Sequence, residues 1–202
     1  MSDKPVKGKY HHGNLREALI EAGVRIIKEQ GEDELSLRKV AAACGVSHAA
    51  PYAHFPDKES LLLAIKEDVT NGFMAELEKA VENPLFRTAE EKLLAMGQKY
   101  IMYFRIHPDY YDFLFHKLNI QVHTDMSNKN PEDYPPFLLF RGLIKDYYSE
   151  QGIELSPIEQ EMDILRTWGI VHGLASIASM PNVEVTIPWE YIAAKSLREM
   201  IK

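Results

Sequence analysis

The sequence has few of the features that secreted or membrane-spanning proteins need. It contains a single cysteine, Cys44, so no intramolecular disulfide can form, as expected in a reducing cytoplasm. No run approaches about 18 uncharged apolar residues, so we expect no membrane span. The polar, lysine-bearing start of the chain argues against a signal peptide. We therefore expect a cytoplasmic protein, in which Cys44 is a core thiol rather than a redox switch.

The motifs of the common enzyme classes are also missing. There is no Gly-x-Ser-x-Gly elbow, no phosphate loop and no Cys/His spacing suited to a metal. The consecutive carboxylates of residues 32–34 have no neighbouring histidine or cysteine, which favours a solvated loop over a metal site. The later histidines are scattered along the chain: His107, His116, His123 and His172. We predict that the protein is not an enzyme and needs no metal or cofactor.

No strand-like alternation occurs, whereas apolar residues recur at helical spacing throughout the chain. Hydrophobic residues make up 46% of the 202 positions, enough for a sizeable core. Strong helix starts occur at Thr88 with Glu91 and at Ser156 with Glu159, and Asn14 with Glu17 has the same spacing. We predict an all-α fold with about nine helices, and a mobile loop at residues 119–133. The predicted helices are 14–30, 37–44, a short one from residue 47, 57–82, 88–106, 109–118, 134–150, 157–180 and 189–202.

The stretch of residues 36–55 has the pattern of a helix-turn-helix. Its first half carries apolar residues at three- and four-residue spacing: Leu37, Val40, Ala41 and Cys44. This spacing buries one face of a short helix. Gly45 permits the positive φ angle of a tight turn, and Ser47 is a suitable N-cap for the second helix. Two short helices joined in this way are typical of proteins that read DNA in the major groove.

This segment resembles the helix-turn-helix region of the TetR family of bacterial transcription regulators. The residues that carry the resemblance are Ser36, Arg38, Val40, Ala41, Ala43, Gly45, Val46, Ser47, Tyr52, Phe55, Lys58, Glu59 and Leu61. Residues 10–15 also match an opening associated with the family. The resemblance implies an N-terminal three-helix DNA-binding domain and a C-terminal helical domain for ligand binding and dimerisation. We place these domains at residues 1–56 and 57–202.

The second motif helix is the predicted DNA reader. It presents His48, Ala49 and Ala50 to base edges, where histidine bonds purines and alanine methyls suit the thymine methyl. Tyr52, His54 and Lys58 are placed to contact phosphates, and the resemblance implies backbone contacts for Tyr52 and Lys58. The predicted DNA-binding set is Ser36, Arg38, Ser47, His48, Ala49, Ala50, Tyr52, His54 and Lys58.

Pro51 departs from the family pattern, which more often has an aliphatic residue there. With Ser47 as N-cap, Pro51 occupies the fourth helical position and removes a backbone donor. The start of this helix, and which of its residues face bases, therefore stay open.

The charge distribution is compatible with DNA binding but does not by itself indicate it. The net charge is −7, but residues 1–50 carry eight Lys/Arg against seven Asp/Glu, and the remainder carries 15 against 23. A near-neutral head binds DNA if its basic groups face the phosphates. The lysine-bearing arm of residues 1–10 either follows the phosphate backbone or is a solvated tail.

Aromatic residues are frequent after residue 99. Each one taken alone favours a packed core, but as a set they suit an apolar cavity with a few polar groups. The predicted ligand-binding residues are Tyr100, Tyr103, Phe104, Phe113, His116, Phe137, Trp168 and His172.

Residues 168–173, Trp-Gly-Ile-Val-His-Gly, are similar to a Trp-…-His-Gly element of one TetR subgroup. Gly169 and Gly173 lie on one helix face and cost about 1 kcal/mol each relative to alanine. Close approach of another helix, for example across a dimer two-fold, compensates for that cost. The resemblance implies that helices 157–180 and 188–202 pair with their mates as a four-helix bundle.

Together these observations predict a homodimeric TetR-like regulator of transcription. It would bind a palindromic operator as a repressor and release it when a small apolar effector enters the C-terminal domain. Two alternatives stay open at this point. One is an activating or ligand-independent regulator, and the other is a small-molecule-binding protein with a degenerate DNA-reading head.

Overall fold

The structure is a computed structural model that describes residues 15–115, 120–127, 130 and 133–200. Within these residues the fold is all-α, as predicted, with eight α-helices and two short 3-10 helices at Glu32–Glu34 and Ala50–Ala53. The α-helices are α1 Leu15–Gln30, α2 Leu37–Ala43, α3 Lys58–Val81, α4 Ala89–Ile106, α5 Pro108–Phe115, α6 Pro135–Gln151, α7 Pro157–Ser179 and α8 Trp189–Met200.

The chain divides into two compact units, residues up to Asp68 and residues from Val69 onward. The division falls inside α3, which is one continuous helix. The proposed domain boundary at residues 56 and 57, placed at the start of this helix, stays a prediction.

Helix starts follow from local side-chain bonds that the sequence predicted. The Thr88 hydroxyl accepts from the Glu91 N–H at 3.2 Å, and the Glu91 carboxylate accepts from the Thr88 N–H at 3.1 Å. Ser156 and Glu159 form the same reciprocal pair at the start of α7. Both capping boxes are confirmed, because each satisfies backbone N–H groups that a helix start leaves unpaired. Asn14 of the third predicted box lies outside the described residues.

The first unit packs α1 against α2 and α3. Gly23 lies so close to Ile65 that an added Cβ would be 2.4 Å from its Cδ1 atom, so these two helices cross at near contact. Gly45 has a φ angle of 67°, the left-handed conformation predicted for the turn after α2. Cys44 is buried there, and its thiol donates to the Ala18 carbonyl at 3.3 Å. Burial raises the pKa of this thiol, as expected of a core cysteine.

The second unit is built around α4, which packs against α6, α7 and α8. At Gly97 the side chain of Leu197 comes within 2.8 Å of where a Cβ would be, so α8 lies directly on α4. Phe73 and Phe104 are fully buried, with ring centroids 4.7 Å apart. Aromatic pairs of this kind form part of the core of this unit.

The described residues of the 120–134 loop are anchored by a buried ion pair, although we expected a mobile loop. Asp133 is 1% exposed and accepts from Arg141 at 3.3 Å, and the same guanidinium group donates to the His123 carbonyl at 2.8 Å. The His123 ring bonds the other Asp133 oxygen. The Tyr134 N–H donates to the Gln121 carbonyl at 2.9 Å. These bonds join residues distant in sequence, which is why helical periodicity did not predict them.

Candidate functional site

The predicted reader between α2 and α3 is a tight turn followed by a 3-10 helix, not an α-helix starting at Ser47. The Ala50 N–H donates to the Ser47 carbonyl at 3.0 Å, and Ala49 occupies the N-cap position without a side-chain bond. The predicted capping role of Ser47 is therefore wrong. Pro51 supplies the reason, because it has no N–H to donate to Ser47 in the α-helical pattern.

The reader exposes one set of side chains and buries another. Pro51 and Phe55 are buried, and Phe55 packs beneath the Arg16 guanidinium group, which is 5.4 Å from the ring centroid. Most of the predicted DNA contacts are on the exposed side. Tyr52 is 60% exposed, and Arg38, Ser47, His48, Ala49 and His54 are exposed as well. Ala50 is half-buried. This short segment therefore has one buried face that anchors it and one exposed face.

Ser36 and Lys58, also predicted to contact DNA, have partners within the protein. The Ser36 hydroxyl accepts from the Lys39 N–H at 3.2 Å and so caps α2. The Lys58 ammonium donates to the Glu32 carbonyl at 3.3 Å. The neighbouring Glu34 pairs with Lys39, and this hydrogen bond lowers the pKa of the Glu34 carboxyl. Within residues 32–34, a backbone carbonyl thus holds Lys58 and one carboxylate holds Lys39.

The second unit contains a cavity of about 270 Å³. Its wall is mostly apolar and aromatic, with contributions from α4, α6, α7 and α8. Residues that line it include Leu93, Met96, Tyr100, Tyr134, Phe137, Phe140, Ile144, Tyr148, Trp168, Val171 and Leu197. The charged lining residues are Asp163 and Arg166, which pair with each other. Asp163 also accepts from the Tyr148 hydroxyl at 2.6 Å, and burial raises the pKa of that phenol.

His172 bridges two tyrosines beside the cavity. The Tyr100 hydroxyl is 2.9 Å from Nδ1, and the Tyr111 hydroxyl is 2.9 Å from Nε2. Tyr111 also donates to the His172 carbonyl at 3.4 Å. Burial raises the pKa of the Tyr100 phenol. The two phenols thus occupy both ring nitrogens of His172 and hold Tyr100 against α7.

The structure brings part of the predicted ligand set together. Tyr100, Phe137 and Trp168 line the cavity. Tyr103, Phe104 and Phe113 are buried in the adjoining aromatic core and do not line it, and His172 contacts it through Tyr100. His116 lies outside the described residues. Sequence reasoning missed Tyr134, Tyr148 and Asp163, because only the packing of α6 and α7 on α4 places them on one wall.

In the described part of the chain, no cluster of three or more His, Cys, Asp or Glu side chains converges on a metal site. No helix among the described residues has the length and apolar character of a membrane span.

The chain is similar to known proteins in both sequence and fold. The family profile described as "Bacterial regulatory proteins, tetR family" matches residues 19–65. The HTH-type transcriptional repressor AcnR of Corynebacterium diphtheriae is 30% identical over 189 residues, covering 89% of this chain and 91% of AcnR. The uncharacterized HTH-type regulator YerO of Bacillus subtilis is 28% identical, and the chain spans 61% of its length. A solved protein of unknown function from Rhodococcus sp. RHA1 has a TM-score of 0.76 at 23% identity, covering 96% of this chain and 97% of that one.

Proposed function

Because this chain belongs to the TetR family of DNA-binding transcriptional regulators, we propose that it is a homodimeric, ligand-responsive repressor. Regulators of this family are not enzymes, in agreement with the motifs missing from the sequence. The observation that carries the proposal is the reader itself. His48, Ala49, Tyr52 and His54 are all exposed on one short turn that Pro51 and Phe55 anchor from below.

The exposed reader suits the major groove of DNA. Histidine and alanine are able to meet base edges, while Tyr52 and His54 reach the phosphates. Two such heads related by a two-fold axis read palindromic half-sites about 34 Å apart. The name of AcnR, a transcriptional repressor, supports repression rather than activation.

The exposed face of α7 supports dimerisation. Large exposed apolar side chains lie along this helix at Ile158, Met162, Leu165, Ile170 and Ile177, and Met180 follows at its C-cap. Gly169 and Gly173 lie on this helix, and no atom is within 4 Å of a Cβ added at either. The close helix approach predicted for these glycines is therefore absent within the described chain. A second copy would supply it and cover the apolar stripe.

Replacing Leu165 with glutamate should convert the dimer to a monomer. Leu165 is 51% exposed in the single chain, so the charge disturbs only a surface that the partner covers. Light scattering should give half the wild-type mass, and operator affinity should fall by at least about tenfold with loss of the second head. The control Ser149→Glu adds the same charge at an exposed position of α6, outside the predicted bundle, and should stay dimeric. A dimeric Leu165→Glu protein would exclude α7 from the interface.

The cavity supports a small effector as the releasing signal. Its lining is mainly apolar with a few polar groups, as in small-molecule sites. An effector that binds one separation of the two heads better than another shifts the dimer toward that separation, and a mismatched pair loses the operator. The linkage is reciprocal, so operator DNA weakens effector binding by the same factor.

Fluorescence anisotropy tests this proposal directly. The labelled duplex is the DNA beside the protein's own gene, titrated at two salt concentrations and with a panel of small apolar compounds. We expect tight binding whose logarithm falls linearly with the logarithm of salt, by about 0.9 per phosphate contacted, and a compound that weakens it. Failure on this duplex and on a selection from randomised duplexes would refute the repressor. Binding that no compound alters would indicate a ligand-independent regulator.

A further inference from the structure

The wall of the cavity in the second unit is rich in aromatic side chains. Seven of the 20 residues that line it are aromatic, whereas aromatic residues make up 10% of the whole chain. The seven lie on α4, on α6 with its N-cap residue, and on α7: Tyr100, Tyr134, Phe137, Phe140, Tyr147, Tyr148 and Trp168. Because three different helices contribute, a molecule inside the cavity has aromatic neighbours on more than one side.

Two of these rings are accessible and are held in place by a third. Phe137 is 3% exposed and contacts Phe140 on its own helix and Trp168 on α7, with ring centroids 5.9 Å and 5.3 Å away. Both pairs are inclined, at 57° and 61°, as aromatic rings prefer. Phe140 and Trp168 are only half-buried, so part of each ring remains accessible. The cavity wall therefore offers ring surface in a fixed orientation.

Several polar side chains of the same wall already have partners within the protein. The Tyr100 hydroxyl is 2.9 Å from Nδ1 of His172, and the Tyr148 hydroxyl donates to Asp163 at 2.6 Å. The charged lining residues, Asp163 and Arg166, pair with each other. An ionic ligand would meet no unpaired opposite charge here, so little would offset its desolvation. The rings, rather than a charge, therefore distinguish between ligands of this cavity.

We propose that the effector is a neutral aromatic compound whose ring packs against Phe140 and Trp168. An aromatic ring has a negative face and a positive edge, so a second ring with its centroid about 4.5–7 Å away is attracted beyond the gain from burial. A saturated ring of the same carbon skeleton lacks this charge distribution and gains only from burial. This inference rests on the proposed function, since it names the effector class of the same cavity.

A matched pair of probes isolates the contribution of the ring. The primary alcohols phenylpropanol and cyclohexylpropanol, each with its ring at the far end of the chain, differ only in whether that ring is aromatic or saturated. Calorimetric titration of the full-length protein gives the dissociation constant of each. Burial of apolar area alone favours the bulkier, more hydrophobic cyclohexylpropanol. We expect the opposite order, with phenylpropanol binding at least about threefold more tightly.

Phe140→Leu and Trp168→Leu each replace an accessible ring with an apolar side chain. Both should weaken phenylpropanol binding by about threefold or more and leave cyclohexylpropanol within about twofold of the wild-type value. The control Phe86→Leu makes the same change at a half-buried phenylalanine between α3 and α4 that does not line the cavity, and it should alter neither constant. Thermal unfolding verifies that each variant is folded, and Phe140→Leu provides the comparison if Trp168→Leu does not fold.

A wild-type protein that prefers cyclohexylpropanol, or parallel changes of both probes in the ring variants, would overturn the inference. Cyclohexylpropanol binding in either case leaves the effector cavity of the proposed function intact. If the wild-type protein binds neither probe, the cavity does not take up small molecules, and its effector role falls together with this inference. Operator binding, measured separately by anisotropy, still tests the repressor.

Discussion

Replacing Ala49 with glutamate should abolish operator binding and leave the fold unchanged. Ala49 is exposed at the N-cap position of the 3-10 helix, so the new side chain meets solvent in the free protein. Against DNA it places a carboxylate among phosphates and base edges, a like-charge contact that costs about 2–3 kcal/mol per head. With two heads in a dimer, affinity should fall by roughly a thousandfold. Fluorescence anisotropy on the selected operator measures this change.

The matched control is Ser149→Glu, which adds the same charge at an exposed position of α6. It should leave operator affinity within about twofold of wild type, because one added charge outside the reader changes DNA binding only slightly. Circular dichroism should show native helix content for both variants. Ala49→Glu protein that retained wild-type affinity would show that this turn does not face DNA.

Replacing Asp133 with asparagine should lower the free energy of unfolding by about 3 kcal/mol, because it removes a buried carboxylate that pairs with the Arg141 guanidinium group. Asp133 and Arg141 have side chains that are 0% and 9% exposed. Arg141 also donates to the His123 and Asp125 carbonyls, so its displacement releases the 120–134 loop. Chemical denaturation followed by circular dichroism measures the loss.

Glu76→Gln provides the comparison with an exposed pair. The Glu76 carboxylate accepts from Lys99 at 2.9 Å, but both side chains are more than a third exposed. Its loss should cost less than about 1 kcal/mol. If the two carboxyl-to-amide changes destabilised the protein equally, the buried pair would not be what anchors the loop.

The helix boundaries were predictable from the sequence because they depend on adjacent residues. Thr88 with Glu91 and Ser156 with Glu159 form their capping boxes within three residues of each other. Gly152 ends α6 with a φ angle of 63°, a conformation that glycine adopts without a steric penalty. Apolar spacing then sets which face of each helix is buried.

The backbone geometry of the reader could not be predicted from neighbouring residues alone. Pro51 was recognised as a departure from the family pattern, but its consequence depended on competing backbone bonds. The Ala50 N–H donates to the Ser47 carbonyl, and the His54 and Phe55 N–H groups both donate to the Pro51 carbonyl at 2.9 Å. The result is a 3-10 helix that still exposes the predicted side chains. Their chemistry was therefore predictable, while their backbone geometry was not.

The sequence by itself determined the all-α class, the helix-turn-helix and the family, since these depend on residue types at short, fixed spacing. Only the tertiary structure decided which aromatic residues line a cavity and which fill the core. Tyr103 and Tyr134 are both buried tyrosines, but only the second lines the cavity. The difference arises from how α4, α6 and α7 pack, because whether a buried side chain borders a cavity depends on neighbours far away in the chain.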